Sequence, residues 1–217
     1  MSAPPLLLAL HSSSETLAVA VQPLGAAEVS IQSACFPLGR DLSNALLPCL
    51  EEVLPAEQWR TIGRLVVATG PGGFTGTRLT VVLARTLAQQ LGVPLHGFSS
   101  FLLIARRLSR PGGPMEGGSR FWLTQDLPRR GTVAGCYGPQ SGSLGGVAEL
   151  QGPRLFGVAE PGPWAGEERE RSHPACVEPD ADVRELVELG QLVHAQGIPG
   201  PWQPVLPIYP TSPVEGA

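Results

Sequence analysis

The sequence predicts an α/β fold: a mixed sheet carrying packed helices in a first lobe, then a smaller second lobe rich in loops. Three observations carry this reading. Three strand-like segments lie within residues 6–36, joined by short turns, which makes an antiparallel meander. Helical and strand patterns then alternate to about residue 108, and a meander followed by such alternation demands a mixed sheet covered by helices. Glycine and proline are unevenly spread, with 17 in residues 1–108 and 33 in residues 109–217. Such residues interrupt regular elements, so the second lobe should be loop-rich and degenerate.

Each element follows from its residues. Leu6 to Leu10 is an apolar run of buried-strand type. After the polar turn His11 to Glu15, Thr16 to Val21 and Glu28 to Phe36 complete the meander. From Asp41 to Leu54 the period changes: Leu42, Ala45, Leu46, Cys49, Leu50 and Val53 recur at helical spacing, with Asp41 as N-cap. Pro48 should kink or break this helix. Arg64 to Thr69 reads as a buried strand, Gly70 to Gly76 as a glycine-rich turn, and Thr77 to Leu91 as a helix stopped by Gly92 and Pro94. A short strand near Leu95 to Phe98 leads to a helix capped by Ser99 or Ser100 and running to Leu108. The first lobe, residues 1–108, is thus β-β-β-α-β-α.

In residues 109–217, Arg110 to Pro114 reads as a loop, and Phe121 to Gln125 and Val133 to Tyr137 as strands. Asp182 to Gln196 is the last helix, stopped by Gly197, and the tail from Pro199 to Ala217 is proline-rich and extended. There is no internal repeat.

Composition narrows the function. The 217 residues are 42% hydrophobic and 16% charged, as in globular chains. Net charge is −4, so no chain-wide attraction to nucleic acid is built in. All 15 basic residues are arginine, which excludes a Schiff-base lysine and a P-loop lysine. The run Leu6 to Leu10 is too short to span a bilayer and lacks the basic flank and cleavage site of a signal peptide. That predicts a cytoplasmic protein without membrane association. Cys35, Cys49, Cys136 and Cys176 are widely spaced, which predicts reduced, mostly buried thiols.

The most specific string is Gly70-Pro71-Gly72-Gly73-Phe74-Thr75-Gly76-Thr77-Arg78, between a strand and a helix. Glycines permit a sharp turn and close approach of another surface. Free N–H groups at a helix start form an anion site, and Arg78 offers a bidentate phosphate contact. Gly70, Gly72, Gly73, Thr75, Gly76 and Arg78 therefore form a candidate phosphate or nucleotide loop. A tight turn without a ligand explains the same residues. The string is neither a Walker A motif nor a dinucleotide fingerprint.

Several strings together resemble the TsaB (YeaZ) family. Leu8 to Ser14 is similar to its Leu-Ala-x-Asp-Thr-Ser opening, and Gly70 to Arg78 to its Gly-Pro-Gly-Ser-Phe-Thr-Gly-x-Arg signature. Leu46-Leu47-Pro48, the Pro94 to Ser100 stretch and Pro207-Ile208-Tyr209 resemble further family elements. Asp126, Arg129, Arg130 and Gly131 look like a degraded Asp-Ala-Arg-x-Gly-Glu-Val-Tyr. The resemblance is strong over residues 6–108 and weak from 109 to 200. It implies a two-lobe actin-like ATPase (ASKHA) fold with a ribonuclease-H-like first lobe. It also implies a non-catalytic subunit of the bacterial machinery that makes threonylcarbamoyladenosine in tRNA. The implied partners are the paralogue TsaD and the ATPase TsaE, with tRNA met through the complex; apart from the resemblance, surplus apolar surface on the two helices of residues 41–54 and 77–91 would also suit a homodimer.

Reactive groups are sparse. ATP-using members of that superfamily hold Mg²⁺ with a carboxylate in the first hairpin, where this chain has His11, and imidazole is a poor magnesium ligand. This weighs against the alternative of an ATP-dependent phosphotransferase. Another alternative, a metal-dependent peptidase, needs clustered histidines, yet no two of His11, His96, His173 and His194 stand four apart. His173 and Cys176 make a lone His-x-x-Cys. No nucleophile elbow is present. No catalytic residue, metal ligand or required cofactor is therefore assigned.

Surface remains. Glu51-Glu52 and Glu167-Glu168 read as solvated acids, and Arg106, Arg107, Arg110, Arg129 and Arg130 as solubilising charge or contacts to RNA phosphate or partner carboxylates. The helices of residues 41–54 and 77–91 are apolar over more than one face. Leu42, Leu46, Leu50, Leu79 and Val82 are accordingly a candidate partner interface.

Overall fold

The computed structural model describes residues 4–165 and 170–210. It divides into two compact units, one of residues 1–100 and 177–207, the other of residues 101–176 and 208–217.

The first unit is built on a five-stranded sheet in the order β3-β2-β1-β4-β5, where β1 is Leu6–His11, β2 Thr16–Pro23, β3 Gln32–Pro37, β4 Ile62–Ala68 and β5 Leu95–Phe98. The first three strands form the expected antiparallel meander, and β4 and β5 add in parallel. Strand β3 is shorter than predicted because residues 28–31 belong to the turn before it.

Alternation along the strands builds two cores. Leu8, Leu10, Leu17, Val19, Leu65 and Val67 point to one face, against α1 (Leu42–Val53) and α2 (Phe74–Leu91). The other face meets α4 (Pro179–Ala195), whose Val183, Leu186, Val187 and Val193 are buried. At Gly190 a Cβ would come within 2.7 Å of Leu7 and 3.1 Å of Val66, so glycine sets the close approach of this helix. Sequence placed the last helix with the second lobe; its apolar stripe instead covers the first sheet, which would otherwise have one bare face.

Two further boundaries differ from expectation. Helix α1 runs unbroken through Pro48, because Asn44 and Pro48 lie on its exposed side, where the carbonyl the proline leaves unbonded faces water. Helix α4 starts at Pro179, three residues early, with proline in its first turn and Asp180 and Asp182 near its positive end.

The segment after α4 returns to the first sheet. The Leu95 N–H donates to the Gly200 carbonyl at 2.9 Å, Val205 is buried beside Gly97, and Arg85 donates to the Val205 carbonyl at 3.2 Å while lying over the Trp202 ring.

The second unit contains α3 (Ser100–Leu108, whose first residue is grouped with the first unit) and a four-stranded sheet in the order β8-β7-β6-β9. Here β6 is Phe121–Leu127, β7 Gly131–Pro139, β8 Val147–Phe156 and β9 Ser172–Pro174. Strands β8 and β9 were not foreseen: β8 is exposed over most of its length and so lacks alternation, and β9 has three residues. Trp122, Ala134, Cys136 and Phe156, with Trp164 against them, form a small core in this unit.

Candidate functional site

The glycine string is positioned by the ends of β1, β4 and β5. The Thr69 N–H and hydroxyl both donate to the Phe98 carbonyl, at 2.8 and 3.1 Å. Gly70 follows at φ +91, with a cis bond to Pro71. The Ser100 N–H donates to the Gly70 carbonyl at 2.7 Å and its hydroxyl to the Pro71 carbonyl at 2.5 Å. The string is thus clasped from the start of α3.

Its far end is clasped by the β1–β2 turn. A Cβ on Gly72 would lie 2.5 Å from the Ser13 Cβ and 2.7 Å from its carbonyl carbon. The Gly73 N–H donates to that same Ser13 carbonyl at 3.0 Å. A Cβ on Gly76 would be 3.0 Å from the Ser12 carbonyl oxygen and from Leu42. Behind it, the Ser12 and Thr80 hydroxyls meet at 2.6 Å. Helix α2 begins at Phe74, within the string, so the turn is only residues 70–73. The glycines are therefore used for close approach, and what approaches is the protein's own backbone.

Gly73, Thr75 and Gly76 border an open cavity of about 690 Å³ that also touches Ser14, Glu15 and Arg40. Gly70 and Gly72 do not line it. Arg78 is exposed and has no side-chain partner among the described residues.

His11 ends β1 and is fully buried. Neither ring nitrogen has a hydrogen-bond partner, and burial pulls its pKa down from 6.5 to about 4, so the ring is neutral at pH 7. A neutral, enclosed imidazole cannot replace a magnesium-binding carboxylate. The Ser13 and Thr77 hydroxyls are buried without partners too. His96 is likewise held near pKa 4, by burial and by the Arg64 guanidinium that meets it on β4. Among the described residues no group of three His, Cys, Asp or Glu is placed to hold a metal.

The five interface candidates separate. Leu42 and Leu50 are 6% and 0% exposed and belong to the core under α1, not to an outer face. Their spacing with Leu46, Cys49 and Val53 makes a single inward stripe. Leu46, Leu79 and Val82 do come together, lining a groove of about 360 Å³ between α1 and α2 with Leu47, Pro48 and Leu83. Leu47 is 47% exposed and Val82 53%. Sequence reasoning missed Leu47, although a leucine off the inward stripe was the available signal.

Other candidates are dispersed. Arg106 is buried and donates to the Leu144 carbonyl at 3.1 Å, and Arg107 donates to the Cys176 carbonyl at 2.7 Å, so neither is merely solubilising. Cys49 and Cys136 are buried, while Cys35 and Cys176 are exposed. The His173 ring bonds the Pro174 carbonyl at 2.8 Å. Glu51 and Glu52 are exposed on α1, and Glu167 and Glu168 lie outside the described residues. Asp126 and Arg129 line one cavity in the second unit; Arg130, in the same turn, is exposed. No described helix is long and apolar enough to cross a membrane.

Known proteins share parts of this sequence and its fold. Residues 38–114 match the family model described as TsaD, tRNA N6-adenosine threonylcarbamoyltransferase. A Bacillus subtilis (strain 168) protein, tRNA threonylcarbamoyladenosine biosynthesis protein TsaB, is 46% identical over 44 residues. That stretch is 20% of this chain and 19% of the relative, so the match spans about a fifth of either protein. Two solved structures from Pseudomonas aeruginosa align over nearly the whole chain. One, an uncharacterized protein with similarity to peptidase YEAZ, has TM-score 0.70 and 24% identity, covering 95% of this chain and 100% of that one. The other, YeaZ, has TM-score 0.69 and 23% identity, covering 94% and 99%. The architecture, a mixed α/β chain with two sheets, is thus the fold of these two structures.

Proposed function

These matches support assignment of the chain to the TsaB/YeaZ family, and from that premise we propose that it is a non-catalytic scaffold subunit in the synthesis of threonylcarbamoyladenosine in tRNA. It pairs with TsaD, the ATPase TsaE joins the pair, and tRNA is met through the complex in the cytoplasm. A homodimer would use the same face in isolation. The observation that carries the reading is the α1–α2 groove. Its floor is core-backed by Leu46, and its rim holds Leu47 and Val82 in water, where an unpartnered subunit gains nothing from them. A partner helix laid in the groove removes that apolar area from solvent.

The glycine string fits the same role. Clasped by Ser13 and Ser100, it fixes the start of α2 and so one wall of the groove. No bound nucleotide or metal is required of it. His11, enclosed and uncharged, favours this reading over a phosphotransferase.

Val82→Glu tests the proposal. Val82 is more than half exposed, so the variant should keep the wild-type melting temperature within about 2 °C. It should lose co-purification with TsaD and, in a reconstituted reaction, tRNA modification. Retained capture of TsaD by the folded variant overturns the groove as the interface. Turnover of ATP or peptide by the isolated chain overturns the non-catalytic role.

A further inference from the structure

Helix α1 carries a proline in its interior, Pro48, and both Asn44 and Pro48 line the groove between α1 and α2. In an α-helix the carbonyl of one residue accepts from the N–H four residues on. Proline has no N–H, so the Asn44 carbonyl loses its regular partner. Asn44 and Pro48 are exposed, and the groove beside them is apolar, with Leu47, Leu79 and Val82. Water satisfies that carbonyl in the lone chain. Covered by an apolar surface alone, it would be buried without a donor, which costs as much as losing a hydrogen bond. Whatever fills the groove must therefore bring a donor to this point.

Charge beside the carbonyl says which donor fits. Glu51 stands four residues after Leu47, and Glu52 four after Pro48. Residues so spaced share one side of a helix. Helical side chains also lean toward the N-terminus, which brings both carboxylates back over the turn that holds Pro48. Glu51 and Glu52 are exposed, and neither has an ion-pair partner among the described residues. The protein brings no cation of its own to the place. Helix α1 has no basic residue, and neither arginine of α2, Arg78 or Arg85, lines the groove. Arg85 is engaged elsewhere, with the Val205 carbonyl and the Trp202 ring. The Thr86 hydroxyl, on the opposite wall, already donates to the Val82 carbonyl at 2.9 Å.

We infer that the helix seated in this groove carries an arginine across Pro48. Its guanidinium donates to the Asn44 carbonyl and to the carboxylates of Glu51 and Glu52. Five N–H donors on a planar fork serve a carbonyl and a carboxylate together, which the single ammonium of lysine does less well. The methylene stem of the arginine lies along Leu47 and the proline ring. The occupant is thus apolar against Leu79 and Val82 and cationic one step away, and Pro48 is what opens the acceptor to it. The inference rests on the proposed pairing with TsaD and adds the chemistry by which that partner helix is chosen.

Calorimetric titration of TsaD into the full chain and its variants tests this. Pro48→Ala and Pro48→Val both return an N–H to the Asn44 carbonyl, and valine keeps the apolar bulk. Each should weaken TsaD binding about tenfold while holding or raising the melting temperature, since proline is the poorest residue inside a helix. A merely structural proline would not separate those two effects. The double variant Glu51→Gln, Glu52→Gln should bind about fivefold more weakly at low salt, with a smaller deficit at high salt. Wild-type affinity in both Pro48 variants overturns the carbonyl contact. A loss in Pro48→Ala but not in Pro48→Val traces to lost bulk and overturns it equally. Wild-type affinity in the glutamine variant means an uncharged donor and overturns the arginine. Where the wild-type chain binds TsaD and Val82→Glu does not, these failures leave the groove standing as the interface. Where the wild-type chain does not bind TsaD, the pairing fails and this inference falls with it.

Discussion

Replacing Gly72 and Gly73 separately by alanine distinguishes a structural clasp from a phosphate cradle at adjacent positions. At Gly72 the new methyl would lie 2.7 Å from the Ser13 carbonyl carbon and 2.5 Å from its Cβ. Ordinary contacts are about 3.5–4.0 Å, so the β1–β2 turn must move by roughly 1 Å. Backbone is what it meets, so no side-chain rotation relieves the clash. The move also pulls the Ser13 carbonyl from the Gly73 N–H, now at 3.0 Å. Overpacking costs about 1–3 kcal/mol and a lost hydrogen bond about 1 kcal/mol, so Gly72→Ala should destabilise by ~2–4 kcal/mol. At Gly73 the nearest atom to a new Cβ is 3.7 Å away and φ is −56°, so alanine fits and should change stability by less than about 0.5 kcal/mol. In urea titration followed by circular dichroism, Gly72→Ala should lower the midpoint and Gly73→Ala leave it unchanged. Equal midpoints for the two variants would refute the clasp.

Stability should also fall in acid. His11 has its folded pKa lowered from 6.5 to about 4, so the unfolded chain takes up the proton first. Its neutral, buried state is fully stabilising above pH 6.5, and that contribution is lost as pH falls toward 4, by up to about 3 kcal/mol. His96 titrates in the same direction, so His11→Leu should flatten part, not all, of the acid limb in melting temperature against pH. An unchanged acid limb in His11→Leu would show that the ring is not enclosed. Leu50→Ala, at a fully buried position under α1, should cost about 2–5 kcal/mol in the same denaturation assay. A loss below about 1 kcal/mol would contradict its inward placement.

Periodicity made the first sheet legible because each strand there is buried on both faces, or alternates, and each helix presents a regular stripe. It missed β8, whose exposed residues carry no apolar alternation, and β9, too short for a pattern. Local spacing also says which face of a helix is apolar but not what covers it. Leu42 and Leu50 were therefore indistinguishable from Val82, although the first two touch the core and the third touches water. The glycine string was legible as a close approach, but the approaching group, the Ser13 carbonyl, lies some sixty residues earlier in the chain. The Arg129 turn was visible only as a weak family resemblance, since a positive φ at arginine leaves no mark in composition.

The first unit draws its cover from residues 177–207, beyond the whole of the second sheet. On the ribosome, the meander and its parallel additions emerge with one face open, and Leu7, Ala9 and Val66 wait for α4 until translation has passed residue 195. The amino-terminal hundred residues cannot finish folding as they are made. A premature stop anywhere in the second sheet therefore leaves a sticky apolar surface for chaperones and proteases to find, and removes both units at once.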